Sequence, residues 1–202
     1  MFLYFNENFI NHTLLMRTFI SFNLDEDLKN KISEVQLQIK KKQNPSSMEF
    51  IKWENKNKFH LTVFFLGEID QFMLNSLIDE LDSFSGSNSF GEIAFESGEI
   101  NCFPNFKFPR VLIIDLINKD SKVRAFYNNL SPLLKNLGFE SDKKFHPHIT
   151  LARIKNNFKP DFHNINEGIK FSFKFTIDRF YLMESKLLPT GSVYKVLKSF
   201  TL

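Results

Sequence analysis

Hydrophobic and polar residues alternate along several short stretches of this chain, while other stretches repeat their hydrophobic residues every three to four positions. Alternation places every second side chain on one face of a strand, and the longer period marks one face of a helix. Short alternating or apolar runs bounded by turn-forming residues predict a set of strands. These strands lie near 17–23, 47–53, 59–66, 90–96, 110–117, 145–154, 170–183 and 192–200.

Three helices are predicted between these strands. The first begins at the acidic residues 25–27, which suit a helix N-terminus, and it closes with a run of lysines. Asp70 caps the second helix. The third spans about 123–137, where Pro132 should break or kink it and Gly138 should end it. The predicted buried faces are Leu28, Ile32, Val35 and Ile39; Leu74, Leu77, Ile78 and Leu81; and Val123, Phe126, Tyr127 and Leu130.

The strands near 59–66 and 145–154 share a short motif. His60-Leu61-Thr62-Val63 and His148-Ile149-Thr150-Leu151 both read His-x-Thr-hydrophobic. A His and a Thr two positions apart on a strand point to the same face. Each motif is preceded by the same order of elements, a helix and then a strand, which predicts a duplicated α+β unit. Two such strands facing each other would line a cleft with two imidazoles and two hydroxyl groups.

This set of side chains suits acid–base chemistry on a group with several acceptor oxygens, such as a phosphate. Histidine has an ordinary pKa near 6.5, so one ring can act as a base while another acts as an acid. A threonine hydroxyl can donate to a phosphoryl oxygen without adding charge. A single His-x-Thr copy is more often structural, but the pair favours a site.

Composition narrows the classes of protein and of site. The chain has 202 residues with 43% hydrophobic content, which suits one globular domain, and its net charge of +3 tolerates a polyanionic partner without requiring one. Cys102 is the only cysteine, which excludes an intrachain disulfide and favours a reducing cytoplasm. The His146-Pro147-His148 run has no matching acidic cluster, so no metal site is expected. No apolar run is long enough to span a membrane, and the first residues lack the basic start of a signal peptide.

The chain resembles the 2H phosphoesterase superfamily, which is defined by two His-x-Thr/Ser-x motifs. Within it, the chain is most similar to the bacterial and archaeal RNA 2′,3′-cyclic phosphodiesterases, historically called 2′-5′ RNA ligases. The similar stretches follow the family's order and cover nearly everything from Met16 onward. They are RTFISFNL (17–24), KFHLTVFFLGEID (58–70), FPRVLIIDL (108–116), LGFESDKKFHPHITLARI (137–154) and YKVLKSFTL (194–202).

The resemblance implies an α+β fold, a bilobal duplicated arrangement with two antiparallel sheets facing each other across a central cleft. It implies that His60 is the proton donor and His148 the proton acceptor, although the residues alone do not assign these roles. It also implies that Thr62, Thr150 and Arg153 bind the substrate phosphate, and that no metal or other cofactor takes part. Strict strand alternation places Arg153 on the opposite face from His148, so Arg153 must reach the phosphate from a strand end or a bulge.

The implied function is the hydrolysis of RNA 2′,3′-cyclic phosphate ends to 2′-phosphate ends by metal-independent two-histidine catalysis. The expected partner is an RNA with such an end or a small cyclic nucleotide, and the expected protein is a cytoplasmic monomer with no membrane partner. One alternative is a hydrolase or ligase that acts on 2′-5′ or other cyclic phosphodiesters. Another is a non-catalytic RNA-binding module of the same fold, but binding alone does not need paired proton carriers.

Residues 1–15 match no part of the resemblance, whereas 16–202 are predicted to form the whole bilobal domain. Met16 is in the position of a family start, so the first 15 residues are expected to be a dispensable extension. His146, which precedes Pro147, is interpreted as structural. His12 and His163 lie outside any motif and are expected at the surface.

Overall fold

The computed structural model describes residues 15–141, 144–155, 158, 160, 162, 165–189 and 191–202. Residues 1–14 and His163 lie outside the described residues, and so do the expectations for the N-terminal extension, for His12 and for His163. The helices are α1 (Glu26–Lys42), α2 (Gln71–Ser87) and α3 (Lys122–Asn136). The strands are β1 (Met16–Asn23), β2 (Ile51–Trp53), β3 (His60–Ile69), β4 (Ile93–Phe103), β5 (Val111–Ile117), β6 (His148–Ile154), β7 (Lys174–Ile177), β8 (Arg179–Leu188) and β9 (Gly191–Thr201).

The strands form two antiparallel sheets, which confirms the predicted α+β fold class. The first sheet has the order β3-β1-β8-β9, and the second has the order β2-β6-β5-β4-β7. The two motif strands belong to different sheets, since β3 is an edge of the first and β6 lies between β2 and β5 in the second. β3 and β6 also contact each other. The two sheets therefore meet along the strands that carry the two motifs.

The helices bury most of the faces that their hydrophobic spacing predicts, while Ile78 and Tyr127 are only partly buried. Leu28, Ile32, Val35 and Ile39 of α1 are all buried. Asp25 caps this helix, because its carboxylate accepts a hydrogen bond from the backbone N–H of Leu28. One continuous apolar cluster then runs through both halves of the molecule. Much of it is aromatic, and Phe126 of α3 packs against Phe22, Phe84 and Phe180.

Two predicted boundaries are wrong, and of the break or kink predicted at Pro132 there is no break. The expected strand at 47–53 is mostly a 3₁₀ turn over Pro45–Phe50, because the Asn44 side chain caps it and proline suits its first position. Gly67 does not end β3, which continues to Ile69. Gly67 has a positive φ of 80° and lies beside a register shift in the pairing of β3 with β1. Pro132 does not break α3, which runs on to Asn136.

The predicted strand near 170–183 is two strands that join different sheets. β7 pairs with β4 in the second sheet, whereas β8 pairs with β1 in the first. Asp178 separates them in the chain. The C-terminal part of the protein therefore ties the two sheets together.

Candidate active site

The two motif strands have the same sequence of buried and accessible side chains over seven residues. In each strand the His and the Thr are half-buried, and the hydrophobic residues that follow them are buried. Both motifs therefore turn their polar residues toward one side and their apolar residues toward the core. The side with His60, Thr62, His148 and Thr150 is the candidate active site.

A β-bulge in β6 places Arg153 on the same face as His148. In the pairing with β5, Ile113 lies opposite Thr150 and Leu112 lies opposite Ala152, so Leu151 is an extra residue. One extra residue reverses the alternation beyond it. Arg153 is accordingly exposed on the site face, while Leu151 and Ala152 are both buried. The bulge is one of the two routes, a bulge or a strand end, by which Arg153 was expected to reach the phosphate, and the binding of phosphate by Arg153 stays a prediction.

The first motif strand has a bulge at the matching place. Thr62 lies opposite Ser21 and Phe64 opposite Ile20, so Val63 is the extra residue in β3. The position that corresponds to Arg153 is occupied by Phe65, which is 62% exposed. The two halves of the site are therefore alike in backbone but differ at this position, with a cation on one strand and an aromatic ring on the other.

A buried glutamine on α1 supports the bulge in β6. The Nε2 group of Gln36 donates to the carbonyl of the extra residue Leu151 at 2.9 Å and to the carbonyl of Glu54 at 2.8 Å. The backbone N–H of Glu54 donates to the same Leu151 carbonyl at 2.8 Å. Gln36 was not predicted from the sequence as a site residue. The available signal was a polar residue within the otherwise apolar face of α1.

His60 is oriented by the backbone of the segment that precedes it. Its Nδ1 lies 2.6 Å from the carbonyl oxygen of Lys58, which can only accept, so Nδ1 carries the hydrogen. In the neutral ring Nε2 is then an acceptor, and the Thr62 hydroxyl lies 2.9 Å from it. The rings of Phe19 and Tyr194 pack against His60 with centroids 5.1 and 5.2 Å away.

His148 is held in the same way. Its Nδ1 donates to the carbonyl oxygen of His146 at 2.7 Å, which leaves Nε2 as the acceptor of the neutral ring. The edge of Phe103 packs against it with ring centroids 4.9 Å apart. Both motif histidines therefore have Nδ1 occupied by a carbonyl two residues earlier in the chain.

His146 belongs to a hydrogen-bonded chain beside the site. Its Nε2 lies 2.7 Å from a carboxylate oxygen of Asp115, and the other oxygen of Asp115 accepts from Asn101 at 3.0 Å. Asp115 also lies opposite His148 in the β5–β6 pairing. His146 is thus hydrogen-bonded to Asp115 through its ring and to His148 through its backbone carbonyl. Asp115 was not predicted from the sequence as a site residue, since one aspartate within an apolar strand gives no distinctive signal.

The surroundings favour the neutral form of both motif histidines. Burial lowers the pKa of His60, the hydrogen bond to Lys58 opposes this change, and the positive charge of Arg153 adds to it. Burial also lowers the pKa of His148, and the positive charges of protonated His146 and His60 lower it further. The hydrogen bond to the His146 backbone and the negative charge of Asp115 act in the opposite direction and raise the pKa of His148. Each half of the site therefore acts on the other electrostatically.

Cys102 and the possible metal ligands bear on two other kinds of chemistry. Cys102 is buried, and burial raises its pKa to about 12, so it cannot act as a thiolate near neutral pH. Among the described residues, no three His, Cys, Asp or Glu side chains lie close enough to hold a metal ion. Within the same residues, no helix is long and apolar enough to cross a membrane.

Known proteins are similar to this chain in sequence and in fold. The family described as LigT like Phosphoesterase matches residues 23–113 and 116–194. An RNA 2′,3′-cyclic phosphodiesterase of Thermotoga maritima is 32% identical over 184 residues, which cover 90% of this chain and 93% of that protein. One from Methanocaldococcus jannaschii is 31% identical over 186 residues, with 91% and 99% covered.

Solved structures agree with these relatives. The protein TT0787 of Thermus thermophilus has a TM-score of 0.75 and 25% identity, and the match covers 93% of this chain and 98% of that one. Escherichia coli LigT, crystallised with 3′-AMP, has a TM-score of 0.73 at 20% identity, with 94% and 99% covered, and this likeness concerns the fold. With a family match over most of its length and relatives of similar size, the chain belongs to the LigT-like phosphoesterase family of enzymes.

Proposed function

We propose that this protein hydrolyses RNA 2′,3′-cyclic phosphate ends to 2′-phosphate ends, with His60 as the general acid and His148 as the general base. One observation carries the proposal. Two strands from different sheets meet, and each presents a histidine whose Nδ1 is occupied by a backbone carbonyl, so that proton transfer falls to Nε2. Relatives named RNA 2′,3′-cyclic phosphodiesterase support the choice of substrate.

The reaction needs one proton removed and one proton supplied. Nε2 of His148 takes a proton from water as the water oxygen bonds to phosphorus. The bond between phosphorus and the ribose 3′ oxygen breaks, and Nε2 of His60 gives a proton to that oxygen. The products are a 2′-phosphate and a free 3′ hydroxyl. Exchange with solvent then returns both rings to their starting forms.

Thr62, Thr150 and Arg153 hold the phosphoryl oxygens in this proposal. The hydroxyl of Thr62 donates to the neutral ring of His60. A protonated ring cannot accept that hydrogen bond, so protonation of His60 frees the hydroxyl to donate to the phosphate. Arg153 adds a positive charge and a forked set of donors. Charge that develops on the phosphoryl oxygens is thus met by groups already in place.

The test is turnover of a short RNA with a 2′,3′-cyclic phosphate end, measured by chromatography in the presence of EDTA. We expect a 2′-phosphate product, and we expect His60→Ala and His148→Ala each to lower turnover at least a hundredfold. The double variant should be little worse than either single variant, because residues that act as a unit are not additive. Arg179→Ala, an exposed change on β8, is the control for general effects of substitution.

Three results would contradict the proposal. They are near wild-type turnover in either histidine variant with its fold retained, complete inhibition by EDTA, and a 3′-phosphate product. Binding of the RNA without turnover by the wild-type protein would instead favour the non-catalytic RNA-binding module.

A further inference from the structure

Three basic side chains lie near one another beside the candidate active site: Lys52 on β2, Lys58 just before β3, and Arg153 on β6. We call them the rim cluster. Lys52 and Arg153 lie directly opposite each other in the β2–β6 pairing. Opposed residues of an antiparallel pair share one face of the sheet, with Cβ atoms about 4.5–5.5 Å apart. Since Arg153 is on the site face, Lys52 extends the positive charge of that face onto the neighbouring strand.

The two lysines meet at the first residue of β9. A Cβ placed on Gly191 would lie 3.5 Å from Nζ of Lys52 and 3.6 Å from Nζ of Lys58. The two ammonium groups are therefore no farther apart than the sum of these distances. They come from different parts of the chain, one from the second sheet and one from the segment that leads into the first motif strand. The rim cluster thus spans the junction between the two sheets.

Among the described residues, acidic side chains do not form ion pairs with this cluster. The ion pairs found among the described residues use other cations, including Lys56, whose Nζ lies 3.1 Å from Glu26. In that part of the chain, no carboxylate lies within ion-pair distance of Lys52, Lys58 or Arg153. The carboxylate of Glu54, one of the nearby acids, accepts instead from the backbone N–H of Asn55 at 3.2 Å. Like charges gathered in this way repel one another, and a bound anion would relieve the repulsion.

The rim cluster adjoins the phosphate site of the proposed reaction through Arg153. Besides burial, the positive charge of Arg153 lowers the pKa of His60, so its guanidinium lies near the catalytic pair. Lys52 and Lys58 lie beyond Arg153, toward Gly191. Two anions could therefore be bound side by side, one between the motif strands and one between the two lysines. An RNA strand presents such a series of anions, and a mononucleotide with a free 5′ hydroxyl does not.

We propose that Lys52 and Lys58, together with Arg153, bind the phosphodiester on the 5′ side of the terminal nucleotide, so that the preferred substrate is the end of an RNA strand. This inference rests on the proposed function. A terminal cyclic phosphate has only one neighbouring phosphate in the strand, and it lies on the 5′ side. A 5′-phosphate on a mononucleotide has the same chemistry, so the experiment must separate these two sources of the second anion.

The experiment compares kcat/KM for three substrates that end in a 2′,3′-cyclic phosphate: a mononucleoside with a free 5′ hydroxyl, the same mononucleoside with a 5′-phosphate, and a dinucleotide. We expect the wild-type protein to prefer the dinucleotide at least tenfold over the 5′-hydroxyl mononucleoside, mainly through KM. Lys52→Ala and Lys58→Ala should each reduce that preference severalfold. They should also flatten the salt dependence of binding, by about 0.7 in the log–log slope for each charge removed.

Lys56→Ala is the matched control, because Lys56 lies in the same short 3₁₀ segment as Lys58 but pairs with Glu26. We expect Lys56→Ala to keep the wild-type preference. Turnover of all three substrates without a preference would overturn this inference and leave the proposed function standing, as would a preference that survives both lysine changes. An equal gain from the 5′-phosphate alone would support the anion site but overturn its assignment to an RNA strand. No turnover of any substrate would contradict the proposed function itself, and this inference with it.

Discussion

Each motif histidine has a threonine beside it on the same face, and in the proposed reaction the two hydroxyls are the uncharged donors to the phosphate. Thr62 lies 2.9 Å from Nε2 of His60, and Thr150 occupies the matching place on β6. Thr→Val keeps the branched shape and the strand preference of the side chain while it removes the hydroxyl. This substitution therefore tests the donor itself.

We expect Thr62→Val and Thr150→Val each to lower kcat/KM about ten- to a hundredfold, since a hydrogen bond to a charged group contributes roughly 1.5–3 kcal/mol. The corresponding Thr→Ser changes keep a hydroxyl and should retain most of the activity. Steady-state kinetics with a cyclic-phosphate RNA measures both. If Val at both positions leaves kcat/KM intact, the phosphate does not lie between the two motif strands.

The pH dependence of the reaction should follow the lowered pKa values of the pair. The base must be neutral, so activity falls at acidic pH, and the acid must be protonated, so activity falls at alkaline pH. Burial lowers both pKa values below the ordinary 6.5, hence the bell-shaped profile of kcat/KM should be centred below about pH 6.5. A bound phosphate favours the charged ring, so the kcat profile should lie at higher pH.

Arg153→Ala gives this prediction a residue-specific test. After burial, the charge of Arg153 is a further cause of the lowered pKa of His60. Removing that charge should raise the pKa of His60 and so move the kcat/KM profile of the coupled pair to higher pH. Arg179→Ala, which removes an exposed charge on β8, should leave the profile where it is. The two limbs of the pH profile belong to the coupled pair of histidines rather than to single residues. A flat profile between about pH 5 and 9 would contradict two-histidine catalysis.

At the scale of elements, the bulge in β6 decides which residues share the site face. Without the extra residue Leu151, strict alternation would turn Arg153 toward the core side. Gln36 of α1 stabilises the bulge through the carbonyls of Leu151 and Glu54, and its buried amide has no solvent to replace these bonds. A helix that contributes no group to the chemistry is therefore expected to govern the position of a phosphate-binding arginine.

We expect Gln36→Leu to destabilise the protein by about 1–3 kcal/mol, since it leaves buried carbonyl groups with fewer partners. It should also weaken substrate binding in the same direction as Arg153→Ala. In a double-mutant cycle the two changes should be less than additive in kcat/KM, because the second removes what the first has already displaced. Gln38→Leu on the exposed face of α1 is the matched control. Fully additive effects would show that Gln36 stabilises the fold without positioning Arg153.

The sequence predicted the motif strands and the Asp70 cap of α2 because they depend on local patterns, namely alternation and an aspartate before a helix. It called for a bulge or a strand end near Arg153 but did not locate the bulges at Val63 and Leu151, since an extra residue in one strand is defined only by the partner strand. The same holds for Asp115, whose partners Asn101 and His146 come from other strands or loops. Long-range pairing thus accounts for the part of the site that the sequence left undetermined.

At the scale of the whole molecule, β1 is held from both sides. It pairs with β3 from Met16 onward and with β8 from Thr18 onward, whereas Leu15 is 56% exposed. These pairings anchor β1 within the first sheet. We therefore expect a chain that starts at Met16 to keep nearly unchanged activity and melting temperature. A large loss in either measurement would show that the first 15 residues pack on the domain.

The two sheets should also unfold together, although the sequence suggests a duplicated unit. Residues of both sheets share one apolar cluster, and β7 and β8 pass directly from the second sheet to the first. The described residues of the two halves form one core together, so partial unfolding would expose apolar surface on the half that remained.

The tryptophan Trp53 lies on β2 of the second sheet, which makes its fluorescence a local probe, while far-UV circular dichroism reports on all elements. We expect the two signals to give one coincident transition in urea. If the fluorescence change and the circular dichroism change occur at different urea concentrations, the two sheets unfold independently. The candidate active site would then lie between two domains rather than within one.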